Sequence, residues 1–136
     1  MKQNPESEAQ IMDSTPISEI EPIEGGGITP TDRKDLDQLV EFPVLEACRI
    51  LYDKNIPTIM SGANKKNVPG EAHIIIAYDM LSPQNKIIAE KFSTPFVYTG
   101  FRKRTFLSLV VPITIESTVG EIKTAMEDIA NQFESQ

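Results

Sequence analysis

Histidine and cysteine are almost missing from this sequence, which holds one of each, His73 and Cys48, in 136 residues. A lone cysteine rules out an intramolecular disulfide, and paired with a lone histidine it cannot make up a zinc ligand set. No Asp-rich loop resembles a calcium site. The run Gly25-Gly26-Gly27 neither follows a strand pattern nor precedes a lysine, so it reads as linker and not as a phosphate-binding loop. No metal and no cofactor are therefore expected. No apolar run approaches the roughly 18 residues that a membrane span requires. The stretch MKQNPESEAQIMDSTPISE has no apolar core of the kind a signal peptide needs. The expectation is a soluble cytoplasmic protein without membrane contact. Its free thiol, set among Leu45, Leu51 and Tyr52, would act as a small apolar group in a reducing compartment.

What is present is an ordinary globular balance, 40% hydrophobic and 24% charged, enough for a single core. The formal net charge of -7 is unevenly spread. Residues 1–30 carry six acids against Lys2, and residues 31–41 carry four acids against Arg33 and Lys34. Residues 42–136 hold ten charges of each sign and are neutral. Residues 1–31 combine Pro5, Pro16, Pro22 and Pro30 with the glycine run and scattered acids, a composition that buries too little apolar surface to offset ordering entropy. They are expected to form a disordered acidic tail and linker, in which Ile11, Met12, Ile17, Ile20 and Ile23 are the residues able to dock. Residues 32–136 are expected to form one α+β domain.

Within that domain, residues 32–39 suit a first helical turn, and Asp32, Asp35 and Asp37 suit its N-terminal dipole. Pro43 then opens a helix to about Lys54 whose stripe is Val44, Cys48, Leu51 and Tyr52. Segments 57–63 and 72–78, joined by a polar loop, read as a hairpin. Ser82-Pro83 caps a helix running through Lys91. A second hairpin joins 95–101 to 105–115 through Arg102, Lys103 and Arg104, with Pro112 marking a bulge or a fraying end. Thr118 and Glu121 form a capping box, and Val119, Ile122, Met126, Ile129 and Phe133 recur at helical spacing behind it.

The order α, β, β, α, β, β, α contains a weak repeat at an offset of 38 residues. It aligns Ile50 with Ile88, Pro57 with Pro95, Ser61-Gly62 with Thr99-Gly100, and Lys65-Lys66 with Lys103-Arg104. Duplicated αββ units give a four-stranded antiparallel sheet, a circular permutation of the ferredoxin-like arrangement, with a C-terminal helix added. Segments 72–78 and 105–115 would be central. The runs Ile74-Ile75-Ile76 and Leu109-Val110-Val111 make both sheet faces apolar, so both faces want cover. The helices beginning at 43 and 82 would supply one cover. The C-terminal helix or a second copy of the chain would supply the other.

Candidate sites are few. Ser61, His73 and Glu71 form the only conceivable catalytic set, since the hairpin would bring Ser61 near His73 with Glu71 on the same face. Ser61 lacks a sharp strand-to-helix turn and oxyanion donors, so a polar cross-strand pair is the plainer reading. The basic turns, Arg102, Lys103 and Arg104 with Lys65 and Lys66, are candidate anion-binding residues, the first set flanked by Phe96, Tyr98, Phe101 and Phe106. Their hairpin tips should point to opposite ends of the sheet, and a neutral body lacks the field that accompanies nucleic-acid binding. Charged tips that discourage edge aggregation are the simpler account. The favoured function is a non-enzymatic regulatory or protein-interaction domain, partnered by another protein or by itself. Binding of nucleic acid or a phosphorylated ligand through the basic turns comes second, and a small hydrolase using Ser61, His73 and Glu71 third.

Overall fold

The computed structural model describes residues 11–23, 29–100 and 103–136. Four helices, α1 (Leu36–Leu39), α2 (Phe42–Asp53), α3 (Pro83–Ala89) and α4 (Val119–Asn131), accompany four strands, β1 (Thr58–Gly62), β2 (Gly70–Ala77), β3 (Phe96–Tyr98) and β4 (Arg104–Ile113). The strands form one antiparallel sheet in the order β1-β2-β4-β3, with β2 and β4 central as their apolar runs require.

Local signals set the element ends. Pro43 occupies the first turn of α2, where its missing N–H costs no hydrogen bond. The Ser82 hydroxyl accepts from the Asn85 N–H at 3.1 Å, and Pro83 follows it. Thr118 and Glu121 close the reciprocal capping box of α4, at 2.9 and 3.3 Å. Pro112 lies within β4 opposite Glu71. It is tolerated because β3 pairs only with residues 104–106, so that among the described residues the other side of β4 has no partner strand along most of its length.

One core lies on one face of the sheet. Ala72, Ile74 and Ile76 of β2 and Leu107, Leu109, Val111 and Ile113 of β4 point into it. Val44, Ala47, Cys48 and Leu51 of α2, Ile88 and Ala89 of α3, and Val119, Ile122, Met126 and Ala130 of α4 close over them. The C-terminal helix therefore packs beside α2 on this same face, and no helix among the described residues lies on the opposite face.

Residues 11–23 differ from the solvated tail expected of them. Ile17 is fully buried and Ile20 nearly so. A single 3-10 turn, Ile17–Glu19, aims both inward. The segment is fastened along its length by its backbone. Ile17 N–H donates to Ser117 O at 3.0 Å, Val119 N–H to Thr15 O at 2.8 Å, and Lys65 N–H to Ile20 O at 2.8 Å. Glu41 clasps its far end, accepting from the Ile23 and Ala63 N–H groups at 3.1 and 2.8 Å. Residues 11–23 thus form a strap across α4 and the β1-β2 loop, and the strap belongs to the domain. The remaining tail residues, 1–10 and 24–28, lie outside the described residues.

Candidate interaction surface

Side chains alternate along a strand, so half of each central strand faces away from the helices. On β2 these residues are Glu71, His73, Ile75 and Ala77, and on β4 they are Phe106, Ser108, Val110 and Pro112. The edge strands add Met60 and Gly62, paired with Ile75 and His73, and Phe96 and Tyr98, paired with Phe106 and Arg104. No helix among the described residues covers this face. Met60 is 42%, Phe96 41% and Tyr98 54% exposed. Ile75, Phe106 and Val110 are half-buried by their neighbours alone.

Aromatic rings gather at one end. The Phe106 ring lies 6.1 Å from that of Phe96 and 6.2 Å from that of Tyr98, with the Arg104 guanidinium 5.7 Å from its centroid. Such offset aromatic contacts and a cation over a ring are individually modest and together make a stiff apolar platform. Of the other large exposed apolar side chains, Val97 lies on β3 and points to the opposite side of the sheet, and Met12, Met80, Ile87 and Ile115 belong to separate elements.

The hydrolytic candidate set is not assembled. β1 is irregular between Thr58 and Met60, and the resulting register puts Gly62, not Ser61, opposite His73. Ser61 pairs with Ile74 and faces the helices, on the side of the buried Cys48 thiol. His73 and Glu71 lie on the open face, so the sheet itself stands between this serine and this histidine. Burial pushes the Cys48 thiol up to about 12, against the smaller opposing effect of hydrogen bonds from Ser61 and Thr58, so it is no nucleophile. Burial also holds the His73 imidazole below its ordinary range, opposed by the charges of Glu41 and Glu71.

The basic residues of the turns are divided between two ends of the sheet, and two of the four described ones are engaged. The β1-β2 loop lies beyond the Gly70–Ile113 end of the central pair, and the β3-β4 turn lies beyond the Ala77–Phe106 end. Arg104 donates from Nε and Nη2 to Asp79 at 2.8 and 2.9 Å, a forked pair that lowers the Asp79 pKa below its ordinary value. Lys65 pairs with Glu21 of the strap at 3.0 Å. Lys66 is exposed in its 3-10 turn, and Lys103 occupies the hairpin turn with φ 53°. Arg102 lies outside the described residues. A shallow depression where the strap meets α4 is lined by Asp13, Ser14, Thr118, Glu121, Thr124 and Asp128, three carboxylates with no histidine or cation among them.

The register that parted Ser61 from His73 follows from the irregularity in β1, for which TIMSG carries no sequence signal. The open face had one: the unbroken apolar triplets of both central strands. Comparison with known proteins finds no matching family model, no matching curated protein and no matching solved structure.

Proposed function

We propose that this chain is a non-enzymatic protein-interaction domain that works through the open face of its sheet. The observation that carries this reading is the continuous surface of Met60, Ile75, Phe96, Tyr98, Phe106 and Val110. Scattered apolar residues need no explanation, but a contiguous apolar patch framed by polar groups marks a contact site. The patch is aromatic and contains an arginine, the composition of binding hot spots. A buried free thiol and the lack of a disulfide agree with a cytoplasmic setting.

The strand order fits an origin in two αββ units, the permuted ferredoxin-like arrangement. Exchanging β1 with β3 and β2 with β4 leaves β1-β2-β4-β3 unchanged, and the 38-residue offset carries β1 onto β3 and α2 onto α3. In that arrangement helices cover one face and the other remains for contacts. Anion binding through the basic turns has less support, since Lys65 is already paired with Glu21, Arg104 keeps only Nη1 beyond its pair with Asp79, and the two turns lie at opposite ends of the sheet.

The test is photo-crosslinking in the host cell, with a benzophenone amino acid placed at Ser108 on the open face or at exposed Gln84 on α3. A protein adduct, homologous or heterologous, is expected from Ser108 and not from Gln84. The same pattern from both positions, or no adduct from either, would overturn the reading.

A further inference from the structure

Two properties of the open face bear on its occupant: where its charges lie, and how large it is. Among the strand residues that point to this side, Glu71 and Arg104 are the only fully charged ones, and they lie at opposite ends. Ile75 and its cross-strand partner Ser108 lie midway between them. Arg104 spends Nε and Nη2 on Asp79, and among the described residues its Nη1 has no partner. A strongly acidic or basic partner would find no complementary field here. A surface with an acid at one end, an arginine with its Nη1 still open at the other and apolar side chains between is complementary to itself when turned end for end.

We infer that the occupant is a second copy of this chain, packed sheet to sheet about a two-fold axis that crosses the strands at Ile75 and Ser108. The inference rests on the interaction reading above and names the partner. An axis across the strands brings Glu71 of each copy toward Arg104 of the other, whereas an axis along the strands would set like charges together. The aromatic platform of each copy then covers the Val110 end of β4 in its mate, and Met60, level with the axis on β1, meets Met60. Face-to-face sheets pack about 10 Å apart with interdigitating side chains, which the relief of Phe96, Tyr98 and Met60 permits.

Area sets the expected strength. At about 3.3 Å per residue and about 4.8 Å between strands, the sheet spans roughly 400 Å² in projection. Side chains standing off that plane raise the accessible area toward, without exceeding, the roughly 800 Å² per partner of a standard interface. An interface of that size suits a transient dimer of about micromolar affinity and not an obligate one.

Sedimentation velocity on the full chain from about 1 μM to about 1 mM, a range that brackets such an affinity, tests this. The wild type should pass from monomer to dimer. Val110→Lys should stay monomeric with an unchanged circular dichroism spectrum. Ile87→Lys, an equally drastic change on α3, should dimerise like the wild type. Glu71→Lys, which replaces attraction with repulsion at both ends, should weaken the dimer by about tenfold. A wild type that is monomeric throughout, or a folded Val110→Lys that dimerises normally, overturns the inference. If the chain is monomeric while Ser108 still crosslinks a different protein, only the identity of the partner falls. If Ser108 crosslinks nothing, the interaction reading falls with it.

Discussion

His73 sits over a residue without a side chain. A Cβ added at Gly62 would lie 2.8 Å from His73 Cε1, so the imidazole occupies the space that only glycine leaves. That seat costs the ring hydration, and burial lowers its proton affinity more than Glu41, beside β1, and Glu71, on its own strand, raise it. Across the sheet it faces Gly62 and Val110, neither of which titrates. The sign of the linkage follows. The unfolded chain, with an ordinary histidine near pH 6.5, binds the proton more tightly than the folded one. The stability from the neutral ring is thus complete above about pH 6.5 and is lost as pH falls through the lower native value. Urea midpoints should be level above neutrality and decline below it, and His73→Gln should remove that part of the decline. Gly62→Ala should push the ring into water and bring its pKa, followed by NMR, back toward about 6.5. A pKa unmoved by this change would mean that the ring is not held against Gly62. Residue identity alone could not reveal this contact. Ser61 and Gly62 are adjacent, and a one-residue difference in register decides which of them faces His73.

At the scale of elements, what could be read depended on how local each signal was. The capping box of α4 lies within four residues, and the pairing of Ser82 with Pro83 within two, so both are written in sequence. The strap is different. Asp13, Glu19 and Glu21 and the surrounding prolines give it the composition of a solvated tail, while its hydrogen bonds run to Lys65, Ser117 and Val119, far along the chain. Ile17 and Ile20, three apart on one 3-10 turn, are too short a pattern to register as amphipathic periodicity. They nonetheless plug the core beside α4. Ile17→Ala should therefore lower unfolding free energy in urea by about 2–5 kcal/mol, the range for a large buried side chain cut to alanine. A solvated tail residue would change it by under about 0.5 kcal/mol. A change that small would show that the strap does not pack in solution.

For the whole molecule, the apolar triplets of β2 and β4 forecast two faces in need of cover, and they were silent on which face the C-terminal helix would take. That choice is made by packing that no local pattern encodes: the strap bridges Pro16 to Thr118, just ahead of α4, and the helix then lies along α2. The helices of the described residues share one core, and the proposed occupant of the other face is another molecule. If that molecule is a second copy, the native state is stabilised by association and the unfolded state is not, so thermal stability must depend on concentration. A hundredfold increase in chain concentration shifts such an equilibrium by roughly 2.7 kcal/mol of dimer, half of that per chain. For a domain of this size the melting temperature should rise by about 5 °C between dilute and concentrated samples. Val110→Lys should melt at one temperature throughout, below that of the concentrated wild type. A wild-type melting temperature independent of concentration would mean that no second copy contributes to the folded state.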